Sequence, residues 1–177
     1  MRPILRKIDY GFNNSFSVRE DIFPYLYNHW HYHPELELTF IRKGTGVRLV
    51  GDSMEKFSDG DLVLLGSNLP HVWRSDADYF KGSPHLHVEA VAIQFKEDFW
   101  GRDFLQLPEF AVIKDLLHHA KRGIKIDGRT AQRVITKMET ILRVRGIQRI
   151  EYLTSMLFMI AQSKEYSYLS SLGFEGV

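Results

Sequence analysis

Apolar positions along this chain follow two periods, and the change falls near Pro108. Before it, short apolar runs alternate with turns. Leu36-Glu37-Leu38-Thr39-Phe40-Ile41 stops at Lys43-Gly44-Thr45-Gly46, and Val47-Arg48-Leu49-Val50 stops at Gly51-Asp52. A short run through Phe57 ends at Ser58-Asp59-Gly60-Asp61. Leu62-Val63-Leu64-Leu65 then leads into the loop Gly66-Ser67-Asn68-Leu69-Pro70, followed by His71-Val72-Trp73-Arg74 and later by His87 to Phe95. Short strands with Gly, Asp, Asn and Pro turns about every 8–12 residues predict an all-β sandwich or barrel.

Beyond Pro108 the spacing becomes i, i+3, i+4, i+7, which predicts amphipathic helices. Phe110, Ile113, Leu116 and Leu117 form one stripe, stopped near Gly123. Val134, Ile135, Met138, Ile141 and Leu142 form a second, from about Thr130 to Gly146. Ile150, Leu153, Leu157, Ile160 and Ala161 form a third, running to about Lys164. The expected organisation is a β unit with an N-terminal arm over residues 1–108 and a helical extension over 109–177. The tail from Tyr168 to Val177 has little pattern and reads as loosely ordered. In the third stripe Met156 to Ile160 are consecutively apolar, which suggests a helix covered on both sides. Residues 130–164 are therefore the expected homodimer surface.

Candidate chemistry concentrates in His31-Tyr32-His33-Pro34-Glu35-Leu36-Glu37, with a further histidine at His71. On a single strand, alternation would turn His31, His33 and Glu37 to one face. One imidazole from a neighbouring strand would complete a set of three histidines and a carboxylate, suited to a divalent transition metal such as Zn, Ni, Fe or Mn. A polar ligand could use the same groups without a metal, and the same groups could serve packing and hydrogen bonding alone. Trp73 shares the parity of His71 and offers either a flat wall to a ligand or ordinary core. Tyr25, Tyr27 and His29 share the parity of His31, although a bulge at Asn28 or Trp30 would reverse it. Arg48 is either an inward anion anchor or a solvent-side charge, and the latter is the expectation. His85 and His87 read as loop or surface residues. His118 and His119 diverge by roughly 100° on a helix and cannot chelate together.

Bulk properties narrow the field only slightly. A chain of 177 residues, 44% hydrophobic and 25% charged, is ordinary for one globular domain. No apolar run approaches the roughly 20 residues of a membrane span, and the N-terminus lacks a secretory pattern. The absence of cysteine excludes disulfides and thiolate metal sites, and cytoplasm is the default location. A net charge of +1 gives no electrostatic case for nucleic-acid binding. Residues 1–108 carry 12 Lys/Arg against 15 Asp/Glu, and residues 109–177 carry 11 against 7. That asymmetry reads first as a solvated helical surface, and second as a basic face toward a partner or DNA.

His31-x-His33-x3-Glu37-x6-Gly44 resembles most of the first cupin motif. Gly60-x5-Gly66-x-Asn68-x2-His71 follows the spacing of the second, with Gly66 where proline is typical and Asn68 where glycine is typical. The stretches His29 to Leu38, Val50-Gly51-Asp52-Ser53 and Gly60 to Trp73 resemble, more narrowly, the N-terminal domain of AraC-type transcription regulators. The resemblance implies a cupin-like, jelly-roll barrel followed by about three helices. It implies a small effector, often a sugar, bound by His31, His33, Glu37, His71 and Trp73, with the first four as metal ligands where a metal is used. It also implies dimerisation by the helices, and DNA binding only through a further helix-turn-helix domain, since too few residues follow Lys164 to build one. A metal-dependent cupin enzyme, such as a dioxygenase or sugar isomerase, is the alternative. The resemblance favours a non-enzymatic sensor.

Overall fold

The computed structural model describes residues 2–27 and 29–174, so the bulge considered at Asn28 and the last three tail residues lie outside the described residues. In chain order the strands are β1 (Ile4–Leu5), β2 (Ser17–Phe23), β3 (His31–Tyr32), β4 (Leu36–Lys43), β5 (Gly46–Val50) and β6 (Ser53–Phe57). They continue with β7 (Leu62–Leu65), β8 (His71–Ser75) and β9 (Val88–Phe95). Then α1 (Ala111–His119), β10 (Ile124–Ile126), α2 (Gly128–Ile141), α3 (Ile147–Ala161) and β11 (Tyr166–Tyr168) complete the order.

These strands form two separate hydrogen-bonded sheets. One has the order β1-β3-β8-β5-β6 and the other β11-β10-β7-β4-β9-β2. The expected closed barrel is thus corrected to two facing sheets, because among the described strands no hydrogen-bonded ladder joins one sheet to the other. The mainly β character and the three helices agree with the sequence pattern.

Strand alternation explains how the layers stack. Leu36, Leu38 and Phe40 of β4, with Val91, Ile93 and Phe95 of β9, turn to one face of the six-stranded sheet. There they pack with Ile113, Leu117, Val134, Met138, Leu153 and Leu157 of the helices into one core. The opposite face contributes Ile41, Val63, Leu65 and Ala90 to a second core with Val50, Phe57 and Trp73 of the five-stranded sheet. The six-stranded sheet is therefore the wall shared by the helices and the space between the sheets. At its rim Arg42 spans from β4 to α2, meeting Glu139 through two hydrogen bonds of 2.8 and 2.7 Å and Glu20 of β2 at 2.7 Å.

The segment after Pro108 is not helical throughout. β10 pairs with β7, and β11 pairs with β10, so this segment adds two strands to the sheet. The tail expected to be loose is held as well. Tyr166–Tyr168 is a strand, and the buried Ser170 donates to the Val50 carbonyl at 3.1 Å while its own carbonyl accepts from Arg122. Three-residue strands flanked by helices carry too few alternating positions to be read by period.

Candidate functional site

The histidine cluster forms where the chain crosses from one sheet to the other. β3 pairs with β8 so that His31 lies directly opposite His71 in the five-stranded sheet. Pro34 and Glu35 then end that strand, and Glu37 belongs to β4 of the other sheet. The single strand expected to align His31, His33 and Glu37 is therefore corrected: these residues converge across the interior from two layers. Pro34 offers no N–H to a ladder, which suits a break at this point.

Two unusual backbone positions shape the second half of the site. Asn68 has a φ of 58°, the left-handed conformation that asparagine tolerates better than most residues. Its amide donates to the His33 carbonyl at 2.8 Å. Gly66 lies so close to α1's end that an added Cβ would meet the Lys121 nitrogen at 2.6 Å. Both departures from the motif thus have a local reason.

The three imidazoles are held alike. His31 Nδ1 bonds the His29 carbonyl at 2.7 Å, His33 Nδ1 the Glu35 carbonyl at 3.0 Å, and His71 Nδ1 the Leu69 carbonyl at 2.8 Å. A carbonyl only accepts, so each Nδ1 carries a proton; the Nε2 atoms of His31 and His71 are left to face the interior, while His33 Nε2 faces Glu37 Oε2 at 3.1 Å. That is the outer-shell arrangement typical of metal-bound histidine. Ligating nitrogens of His31, His33 and His71 lie within 4.8 Å of one another. His71 is 1% exposed and its Nε2 has no hydrogen-bond partner. A buried lone pair without a partner is costly, and a metal ion or a ligand donor is what this atom fits.

Glu37 stands apart from the three histidines. Thr39 Oγ1 donates to its Oε1 at 2.6 Å, the Gln94 amide donates to its Oε2, and His33 Nε2 lies 3.1 Å from that same oxygen. Burial pushes this carboxyl up, but the His33 hydrogen bond, the neighbouring imidazoles and Thr39 outweigh it and hold it well below the usual carboxylate range. Burial likewise depresses His71, to about 3, and lowers His31, so both rings stay neutral at physiological pH.

A cavity of about 70 Å³ opens beside this cluster. Alternate residues of four strands face it, among them Arg19 and Asp21 of β2, Thr39 of β4, Ala90 and Ala92 of β9, and Trp73 of β8. The arm brings Arg6 to the same space, since Ile4 and Arg6 donate backbone hydrogen bonds along Trp30 and Tyr32. His31, Glu37, His71 and Trp73 all line the cavity, while His33 reaches it only through Glu37.

Other sequence candidates fall elsewhere. Tyr25 and Tyr27 are exposed, with rings 4.5 and 5.9 Å from Phe80 on the outer surface, and His29 is exposed too. Arg48, expected on the solvent side, is 1% exposed instead, bonded to Glu55 at 3.0 Å and 3.5 Å from Asp61. Its cross-strand partner is Trp73, so β5 presents it to the interior. His87 pairs with Glu89 at 2.8 Å near the surface, and His118 and His119 are exposed. Sequence reasoning missed Arg6, Arg19, Asp21, Thr39 and Gln94. The alternation of Arg19, Asp21 and Phe23 was the available signal, hidden because β2 carries three consecutive charged residues.

No family model and no curated protein matches this sequence. Solved structures do match the fold. The AraC-like transcriptional activator CuxR superposes with a TM-score of 0.59 at 9% identity, over 92% of this chain and 56% of that one. ToxT from Vibrio cholerae gives 0.52 at 14% identity, over 92% and 60%. A further ToxT structure, bound to (E)-4-(8-methylnaphthalen-1-yl)but-3-enoic acid, gives 0.50 at 14% identity. This chain thus spans somewhat more than half the length of these matched chains. No helix among the described residues is long and apolar enough to cross a membrane. Sheets and helices together, the chain has the fold of the AraC-like transcriptional activator CuxR over 92% of its length.

Proposed function

We propose that this chain is the effector-sensing and dimerisation module of an AraC-like transcription regulator acting in the cytoplasm. The observation that carries this reading is the match to the AraC-like transcriptional activator CuxR across about nine-tenths of the chain, helices included. A small molecule would bind between the sheets against His31, Glu37, His71 and Trp73, with His33 supporting Glu37. The resemblance makes a sugar-like effector the first class to test. Residues 130–164 would pair two copies, and DNA would be bound by a domain other than the one described here.

The shared sheet supplies the mechanism. Glu37, Thr39 and Ile41 face the cavity, while Leu36, Leu38 and Phe40 of the same strand face the helices. A ligand that prefers one set of β4 and β9 positions shifts the population of helix arrangements packed on the other face. His31, His33 and His71 would hold a divalent metal, with Glu37 at its edge. When bound, such an ion would supply a Lewis-acid contact to an oxygen of the effector.

The reading is tested by fusing this chain to a monomeric helix-turn-helix domain. Paired half-sites one helical turn apart should drive a reporter, and a single half-site should not. Equal reporter output from both operators, together with sedimentation as a strict monomer at micromolar concentration, would overturn it. The uniform Nδ1 anchoring of three imidazoles also favours a second reading, a metal-dependent cupin enzyme. Protein prepared without an affinity tag and holding less than about one metal per five chains under metal-replete conditions would sink that alternative.

A further inference from the structure

Two rows of residues cross the cavity-facing side of the six-stranded sheet. In the first, Arg19, Ala92 and Thr39 are successive neighbours on β2, β9 and β4. In the second, Asp21, Ala90 and Ile41 are. Each row therefore has an alanine at its centre and a larger side chain on either side. The two alanines make a trough, and Trp73 and His71 face the same space from the other sheet.

The charges at this trough are unevenly satisfied. Glu37 is fully occupied by Thr39, Gln94 and His33. Arg19 Nε lies 2.9 Å from Asp21, yet the buried Nε–H is not aligned on that oxygen and makes no hydrogen bond. Arg6 faces the same cavity, and no described side chain forms an ion pair with it. Two guanidinium groups thus look onto the cavity, and of the two only Arg19 has a carboxylate, Asp21, within ion-pair distance. The remaining wall is apolar: Ile41, Leu26, Trp73 and the two alanines. The space, about 70 Å³ and open to solvent on one side, favours a compact molecule.

We infer that the effector is a small organic acid: one carboxylate held by the guanidinium of Arg19, with Arg6 beside it, and a compact flat body in the alanine trough against Trp73. A guanidinium fork matches a carboxylate in bidentate geometry, and the apolar wall fits a body with few polar atoms. The inference rests on the sensor reading above and narrows it from a neutral, sugar-like ligand to an anionic one.

Calorimetric titration of the purified chain with benzoate, its neutral near-isostere benzamide, and arabinose is the test. Benzoate should bind at least about tenfold more tightly than benzamide or arabinose. Arg19→Gln, a change at a one-third-exposed side chain, should bring benzoate and benzamide to within about twofold of each other. Ala92→Leu should abolish binding of both by filling the trough. Benzamide or arabinose binding as tightly as benzoate would overturn the acid class while leaving a sensor with a neutral effector. Failure of all three to bind below about 10 mM would overturn the inference too. The half-site reporter uses none of these compounds, so it judges the sensor reading separately.

Discussion

The two faces of the six-stranded sheet are built from the same strands and behave as different materials. On β4, Leu36, Leu38 and Phe40 meet the helices in an apolar core. One residue along in each case, Glu37, Thr39 and Ile41 face a cavity edged by histidines and arginines. β9 repeats the division, with Val91, Ile93 and Phe95 outward and Ala90, Ala92 and Gln94 inward. The outer face is packed for stability. The inner face keeps small residues and a misaligned Arg19, and across the cavity from it His71 has an orphan imidazole nitrogen, each a local cost that close packing would have removed. Sites that depart from good packing are where function is expected.

The largest effect that tests this contrast is on the outer face. Leu38 is completely buried between β4's neighbours and the helices. Leu38→Ala should lower the unfolding free energy by about 3 kcal/mol through lost transfer energy and a residual cavity. Urea denaturation should report it as a lower midpoint at unchanged slope. A loss under about 1 kcal/mol would mean that the helices pack on this sheet only loosely.

The wall opposite the inner face should respond with the opposite sign. His71→Leu removes a buried nitrogen that has no partner and replaces it with a side chain of similar volume. Metal-free protein should gain about 1 kcal/mol in the same denaturation experiment. Divalent metal bound by the wild type, measured by elemental analysis, should fall at least about tenfold in the variant. A destabilised variant that keeps its metal would make His71 part of the core between the sheets and no ligand.

Much of this division was legible before any coordinates. The turns at Gly44, Gly51, Gly60 and Gly66 delimit β4 to β7 almost to the residue, because each strand ends where glycine or aspartate meets a change of apolar pattern. The three helical stripes were legible for the same reason: ten or more residues average out local accidents. What escaped has a common physical cause. β2 carries Arg-Glu-Asp in its centre, since it is a sheet-edge strand whose alternate side chains face the cavity and the rim. β10 and β11 are three residues each, too short for a period. Arg48 looked solvent-facing because charge is normally a surface signal, and only Glu55 and Asp61 make its burial tolerable. Among the site residues, the spacing of His31, His33 and His71 identified which imidazoles meet, whereas the break at Pro34 that lets Glu37 approach from the other sheet could not be read from spacing.

The smallest effect on stability concerns the helical layer's own outer side. Along α3, Leu153, Met156, Leu157 and Ile160 are buried in the core shared by the helices and the six-stranded sheet, while Phe158 is 44% exposed and Ile147 68% exposed. A helix covered on both sides was the expectation from five consecutive apolar residues, and within one copy only one side is covered. If a second copy supplies the other cover, Phe158 contributes to pairing and hardly to folding. Phe158→Ser should therefore change the unfolding free energy of the monomer by less than about 0.5 kcal/mol, as an exposed substitution does. Sedimentation across a dilution series should show dimer dissociation weakened by about tenfold, the loss of a partly buried aromatic anchor at an interface. An unaltered association constant would move the dimer surface away from α3. A large loss of monomer stability would mean instead that Phe158 belongs to the outer-face core and that the contrast between the sheet's two sides extends one layer further than the packing indicates.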